Sequence, residues 1–289
     1  MYPEHIDKIK KIALIAIYSD DDLMDLFVLK GGSAIDIIYG DDSGRASIDL
    51  DFSLEKDFEK DRMSELVKKI EDSLERTFSD AGYITFDFEF TERPKEKGFG
   101  PDFWGGYKVV FKVTEKDLYE KYRDNTERLR KSSMVVGLKN KKKFQIDISK
   151  YEYCAHKRES EVDDYIVYVY TPEMIVFEKI RAICQQMPEY EEIIKSKNSS
   201  PRSADFFDIY YLMERFRIDI LCDENRKMLK EIFEIKQVPT DFIMKIKDYR
   251  EFHRQGFDSL KDTVRPGKEI REFDFYFDYV IDKFDKIFN

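Results

Sequence analysis

The sequence predicts an α+β protein with an N-terminal mixed β-sheet flanked by helices and a mostly helical C-terminal part. Strand-like apolar runs alternate with helix-like stretches before residue 150, whereas only helical spacing is found after residue 171. The length of 289 residues corresponds to roughly two average domains. We therefore predict two units, 1–170 and 171–289, which pack together because no Gly/Ser-rich linker separates them.

The composition narrows the class of protein. Hydrophobic residues make up 42% of the chain and aromatic residues 15%, which supports a substantial core and excludes a disordered protein. No apolar run approaches the roughly 20 residues of a membrane span, so we expect a cytoplasmic protein. Three scattered cysteines and three scattered histidines argue against disulfides, zinc and a Ser-His-Asp triad. Any chemistry must come from carboxylates, basic side chains and hydroxyls.

The first elements surround a glycine turn. Residues 3–18 have helical apolar spacing, and the polar cluster 19–22 can cap a second helix. A short β-type run, 26–30, then leads into Gly31-Gly32-Ser33. We predict a helix over 34–39 with Ser33 as its N-cap.

The remaining sheet and the helical part follow from periodicity. Residues 46–53 alternate between apolar and polar, and 62–78 form an amphipathic helix. Pro172 occupies the first position of a helix, where its missing N–H costs nothing. The further predicted strands are 83–90, 107–113 and 144–148, and the further predicted helices are 173–182, 205–216, 224–233 and 273–288.

Two aspartates on one strand indicate a cation site. Asp49 and Asp51 are two residues apart, so their side chains share a face of the predicted strand. Asp147 lies in a similar strand and would add a third carboxylate if the two strands are neighbours. Three carboxylates in one place repel each other unless Mg²⁺ or Mn²⁺ binds between them.

The glycine turn indicates an anion site. Glycines let a ligand approach the backbone closely, while amides at a helix start and the Ser33 hydroxyl can bind phosphate. The Walker spacing and the dinucleotide-binding fingerprint do not occur here. Next to an aspartate pair, the turn predicts a site for a metal-bound triphosphate.

Five ordered segments between residues 27 and 212 resemble the AbiEii-type nucleotidyltransferases, a branch of the DNA polymerase β-like nucleotidyltransferase superfamily. The first two are Phe27-Val28-Leu29-Lys30-Gly31-Gly32-Ser33-Ala34 and Arg45-Ala46-Ser47-Ile48-Asp49-Leu50-Asp51-Phe52. The others are the strand 144–148, Glu178-Lys179-Ile180-Arg181-Ala182, and Arg202-x-x-Asp205-Phe206-Phe207-Asp208-Ile209. Ala204 precedes Asp205 where the family usually has a basic residue. The region after 215 does not contribute to the resemblance.

The resemblance implies roles for individual residues. Asp49, Asp51 and Asp147 would bind the catalytic metals, and Asp147 would activate the attacking hydroxyl. A nucleoside triphosphate would be bound by residues of the turn, the segment before the aspartates and two later helices. These nucleotide-binding residues are Gly31, Gly32, Ser33, Arg45, Ser47, Lys179, Arg181, Asp205 and Asp208, of which Lys179 would also be catalytic.

The resemblance further implies the toxin of a bacterial toxin–antitoxin or phage-defence system, with a cognate antitoxin that acts without a stable complex. Some similar toxins add nucleotides to the 3′ end of tRNA, so we expect an RNA acceptor. The net charge of −10 disfavours nonspecific nucleic-acid binding, although a basic run at 139–143 and basic residues within 123–131 precede the Asp147 strand.

Three other functions remain compatible with the sequence. The enzyme could modify a hydroxyl of a small molecule or a protein, because function depends on the site rather than on the fold. The chain could be a noncatalytic nucleotide-binding regulator, which the presence of all three aspartates disfavours. An aromatic C-terminal helix could bind a partner, although packing onto the body is the simpler interpretation.

Overall fold

We describe a computed structural model of the chain over residues 5–40, 45–94, 101–195, 199–265 and 267–288. Within these ranges, seven strands form one mixed sheet in the order β3-β4-β5-β2-β1-β7-β6. The strands are β1 (Val28–Lys30), β2 (Leu50–Ser53), β3 (Tyr83–Arg93), β4 (Gly106–Glu115), β5 (Phe144–Ser149), β6 (Arg158–Val162) and β7 (Tyr165–Val169). The predicted α+β class with flanking helices is confirmed.

Helices flank this sheet and make up the part that follows it. Those up to β5 are α1 (Ile6–Tyr18), α2 (Asp21–Leu26), α3 (Gly31–Ala34), α4 (Met63–Asp80), α5 (Lys116–Tyr122) and α6 (Thr126–Ser132). Those after β7 are α7 (Pro172–Cys184), α8 (Ser203–Phe216), α9 (Asp223–Glu234), α10 (Phe242–Lys245), α11 (Arg250–Arg254), α12 (Phe257–Lys261) and α13 (Phe273–Phe284). A π-helical turn, Ile35–Tyr39, continues α3. Short 3-10 turns are Leu138–Asn140, Pro188–Glu192, Ile246–Tyr249 and Asp285–Ile287.

Strand pairing at the centre of the sheet positions the predicted aspartates. β2 is antiparallel to β1 and parallel to β5, with Lys30 opposite Asp51 and Asp51 opposite Asp147. Directly paired residues point to the same face of a sheet. The predicted proximity of Asp51 and Asp147 is therefore a consequence of strand register.

The C-terminal elements pack by aromatic contacts. α13 lies against α8, with the Phe206 and Phe277 rings stacked at 5.1 Å and the Tyr210 and Tyr279 rings edge-on at 4.9 Å. This confirms that the aromatic C-terminal helix packs onto the body. Every described strand precedes residue 170 and α7 begins at Pro172, but the division into two units stays a prediction.

Two predictions of local structure were wrong, and one pair of strands was missed. Helix α3 begins at Gly31 and includes Ser33, because the glycines let the chain turn directly after Lys30. Strand β2 begins only at Leu50, so Asp49 lies just before it. The hairpin of β6 and β7 was not predicted, because β6 is a charged, largely exposed edge strand. The first residues of the predicted helix 3–18 lie outside the described residues.

Candidate active site

The turn between β1 and α3 places the Gly31 backbone close to the carboxylate of Asp51. Gly31 has φ +65, and a Cβ at this position would lie 2.7 Å from Asp51 Oδ2. A Cβ on Gly32 would lie 3.1 Å from both Arg45 Nη2 and Ser47 Oγ. Only glycines therefore allow Asp51 and Arg45 to approach the turn this closely.

Ser33 connects the glycine turn to β2 by hydrogen bonds. Its side chain is fully buried, and its hydroxyl donates to the Lys30 carbonyl at 3.1 Å and accepts from the Asp51 amide at 3.2 Å. The hydroxyl therefore orients Asp51 in this structure, and its predicted contact with phosphate stays a prediction. The sequence interpretation missed this bond because it placed Ser33 at the helix start.

Of the three predicted metal ligands, Asp49 and Asp147 lie near Asp51, but each is paired with a lysine. Burial raises the pKa of the Asp51 carboxyl to about 7, assisted by the charges of Asp147 and Asp49 and opposed by Lys30. Asp49 Oδ1 lies 3.1 Å from Lys141 Nζ, and Asp147 Oδ1 lies 3.5 Å from the Lys108 ammonium.

Their chemistry fits a divalent cation. Carboxylate oxygens are the ligands that Mg²⁺ and Mn²⁺ prefer, and a bound cation would favour the charged form of Asp51, which burial and the neighbouring carboxylates disfavour. Within the described ranges, no three His, Cys, Asp or Glu side chains are arranged to hold a metal ion. Asp49 and Asp147 would have to turn away from their lysines to bind one.

An ion-pair group lies beside Gly32. It comprises Lys179 of α7, Asp205 and Asp208 of α8, Arg202 directly before α8, and Arg45 before β2, and we call it the Lys179 group. The Lys179 ammonium lies 2.7 Å from Asp205 and 2.8 Å from Asp208. Arg45 binds Asp208 through two bonds of 3.0 and 2.7 Å, and Arg202 binds Asp205 at 2.5 Å. Although burial opposes it, Arg45 and Lys179 lower the Asp208 pKa to about 2. The structure brings together the predicted Lys179, Asp205, Asp208 and Arg45.

A second group, the Glu152 group, comprises Glu152, Lys30, Arg181, Glu178 and Lys236. Glu152 Oε2 accepts two bonds of 3.0 Å from Arg181, and its other oxygen lies 3.6 Å from Lys30 and 3.4 Å from Lys236. Lys30 also binds Glu178 at 2.5 Å. These cations hold the Glu152 pKa well below its usual value against the effect of burial. Arg181, predicted to contact triphosphate, is thus committed to protein partners through its terminal nitrogens.

The Glu152 group and, apart from Asp208, the Lys179 group line one cleft of about 440 Å³. The lining includes six basic side chains (Lys30, Arg45, Lys179, Arg181, Arg202 and Lys236) and four acidic ones (Asp51, Glu152, Glu178 and Asp205). The cleft is therefore basic in a chain whose net charge is −10. A cleft of this charge and size suits an anionic ligand of nucleotide dimensions.

Sequence reasoning assigned no role to Lys30, Glu152, Glu178 or Lys236. Lys30 and Glu178 lie within the matched segments, directly before Gly31 and Lys179, and that adjacency could have pointed to them. Glu152 and Lys236 belong to no recognisable sequence motif. Their contribution depends on long-range packing, which brings α9 against α7 and places Lys236 beside Lys150 and Glu152, directly after β5.

Comparison with known proteins identifies the family. The sequence profile of the AbiEii nucleotidyltransferase toxins of type IV toxin–antitoxin systems matches residues 12–279. The chain belongs to this family. The match extends past residue 215, where the sequence analysis found no resemblance. A search of curated protein sequences gave no match.

Two solved structures share the fold of this AbiEii-family protein. MenT4, a nucleotidyltransferase toxin of Mycobacterium tuberculosis H37Rv, has a TM-score of 0.57 and 12% identity, with 98% of this chain and 83% of that chain covered. A protein of H. pylori described as a nucleotidyltransferase has a TM-score of 0.50 and 15% identity, with 99% and 98% covered. The expected nucleotidyltransferase fold is confirmed, and no helix of the described ranges is long and apolar enough to span a membrane.

Proposed function

We propose that this protein transfers a nucleoside monophosphate from a nucleoside triphosphate to an RNA acceptor, the 3′ end of a tRNA, and releases pyrophosphate. The observation that carries the proposal is the pairing of Asp51 with Asp147 on adjacent strands, beside a glycine turn and a basic cleft. Nucleotidyl transfer belongs to the family, whereas the acceptor and the metal dependence are our proposal.

The triphosphate would lie along the Gly32 end of the cleft. Arg45 and Lys179 border Gly31 and Gly32 there, and Arg202 lies beyond Asp205. Their charges are balanced by Asp205 and Asp208 in the structure, so bound phosphate would share these cations with the two carboxylates. A fork-shaped arginine and a point-charged lysine bind phosphate oxygens in different geometries.

The carboxylates would hold Mg²⁺ or Mn²⁺. Asp49, Asp51 and Asp147 would be its ligands, and the bound metal would neutralise phosphate charge. Asp51 is kept in place by the bond from its amide to Ser33. In the transfer, the acceptor oxygen forms a bond to the α-phosphorus, the bond to pyrophosphate breaks, and Asp147 accepts the hydroxyl proton.

The acceptor would approach from the side of Asp147. Lys108 and Lys141 border the carboxylates there, and Lys142 and Lys143 follow Lys141 in sequence. Basic side chains of this region form surface ion pairs, for example Lys143 with Glu89 at 2.6 Å and Arg130 with Asp87 at 2.7 Å. RNA phosphates would therefore compete with surface carboxylates, whose ion pairs are weak.

The test incubates the protein with each α-labelled nucleoside triphosphate, Mg²⁺ or Mn²⁺, and total tRNA. We expect label in tRNA with the wild type, and none with Asp49→Ala plus Asp51→Ala or with a chelator. Asp72→Asn is the matched control, because Asp72 is an exposed carboxylate on α4.

Label in a small molecule or in protein instead would refute the RNA acceptor and keep the transferase. Metal-dependent binding without transfer to any acceptor would favour a noncatalytic regulator. Family membership implies an antitoxin, and we expect it to act without forming a stable complex; co-purification of the two would contradict that expectation.

A further inference from the structure

The cleft continues from the phosphate end to the single tryptophan of the chain. Lys30 precedes the glycine turn and lies 3.6 Å from Glu152, which lies 3.4 Å from Lys236. The Lys236 ammonium lies 5.8 Å from the centre of the Trp104 ring. Trp104 is half-buried and lines the cleft together with Gln185. The two ends of the cleft therefore differ: cations and glycines border one, whereas the other presents an indole and an amide beside Lys236.

The Gln185 amide is held in one orientation. Tyr190 Oη donates its only proton to the Lys236 carbonyl at 2.7 Å, so toward Gln185 it can only accept. Gln185 Nε2 donates to it at 3.1 Å. The amide nitrogen is thus turned toward Tyr190, and the carbonyl oxygen is the polar atom of Gln185 left for a ligand. Tyr190 is fully buried, which keeps this arrangement fixed.

We propose that the Trp104 end of the cleft binds the nucleobase of the incoming nucleotide, with the Trp104 indole as the stacking surface and the Gln185 carbonyl oxygen as acceptor for a base amino group. The inference rests on the proposed function in one respect, that the cleft binds a nucleoside triphosphate. Aromatic rings stack on any base, whereas a fixed acceptor favours a base that offers a donor at the matching edge. Cytosine and adenine carry such an amino group, and uracil and hypoxanthine carry a carbonyl at the same position.

The first experiment follows the intrinsic tryptophan fluorescence without any acceptor. Trp104 is the only tryptophan, so the signal reports on this end of the cleft alone. We expect CTP and ATP, each with Mg²⁺, to quench the emission, and inorganic tripolyphosphate with Mg²⁺ to bind without quenching. CTP should bind more tightly than UTP, and ATP more tightly than ITP, because each pair differs only at that exocyclic group and at the protonation of the adjacent ring nitrogen.

The second experiment measures binding by calorimetry. Trp104→Ala should raise the Kd for CTP about tenfold and leave that for tripolyphosphate unchanged, whereas Trp104→Phe should retain most of the affinity. Gln185→Leu should remove the preference for CTP over UTP while the Trp104 quench persists. Quenching by tripolyphosphate equal to that by CTP, or equal losses for both ligands in Trp104→Ala, would overturn the inference.

The outcome is separable from that of the proposed function. Transfer to tRNA without any nucleotide-induced change at Trp104 would refute the base site and keep the transferase. Quenching by nucleotides without transfer would refute the acceptor and keep the base site.

Discussion

Neutralising Glu152 should destabilise the protein strongly. In the Glu152 group, three cations (Lys30, Arg181 and Lys236) face two carboxylates, and every side chain of the group is at most 13% exposed. Glu152→Gln leaves the three cations with Glu178 alone. Removing one partner of a buried ion pair costs about 3–5 kcal/mol, because the remaining charge is uncompensated. We expect a loss of this size in the free energy of unfolding.

Equilibrium urea unfolding, followed by far-UV circular dichroism, measures this loss. Glu75→Gln is the control, because Glu75 is exposed on α4, and it should change the free energy by less than about 0.5 kcal/mol. Adding Lys236→Met to Glu152→Gln removes one uncompensated cation and should recover part of the loss. A loss below 1 kcal/mol in Glu152→Gln, or no recovery in the double variant, would refute the reasoning.

Two further predictions concern pH and the glycine turn. Burial lowers the pKa of His253 to about 4, with Arg202 adding to the decrease and Asp205 opposing it. Below pH 6.5 the unfolded chain therefore binds more protons than the folded protein. The free energy of unfolding falls as the pH is lowered, by about 2 kcal/mol between pH 7 and pH 5. His253→Gln should lose that part of the pH dependence in urea unfolding, and an unchanged slope would contradict the assignment. Gly31→Ala should lower both the melting temperature and nucleotidyl transfer, because its Cβ would collide with Asp51. Gly82→Ala, at φ +90 with open space around the Cβ, should lower the melting temperature only. Equal effects of the two variants on transfer would argue against the collision.

Much of the fold follows from local periodicity. Strands β3, β4 and β5 and helices α4, α7, α8 and α9 lie close to the predicted ranges, because each has a clear apolar face. Edge strand β6 and the short helices α10, α11 and α12 lack such a face, and periodicity cannot find them. The error in the predicted start of α3 has another cause. At Gly31, a tertiary contact with Asp51 decides where the helix starts.

The candidate site divides in the same way. Asp51, Asp147 and Lys179 belong to segments with a recognisable pattern. Strand register places Asp147 beside Asp51, and helix packing brings Lys179 to the cleft that Asp51 lines. Glu152 and Trp104 reach the cleft only through the fold as a whole. Asp49 pairs with Lys141 and Asp147 with Lys108. These ion pairs also depend on neighbouring elements that the sequence pattern does not specify.

The position of the transferred label tests the central claim most directly. Parallel reactions contain a nucleoside triphosphate labelled at the α- or the γ-phosphate, tRNA and Mg²⁺, with wild type and Asp51→Asn. Asparagine should leave the fold intact, because it has the shape of aspartate and replaces a carboxyl whose charged form burial and the neighbouring carboxylates disfavour. We expect α-label in RNA, γ-label in pyrophosphate, and neither with a folded Asp51→Asn. Label from the γ-phosphate in RNA, or undiminished transfer by Asp51→Asn, would contradict it.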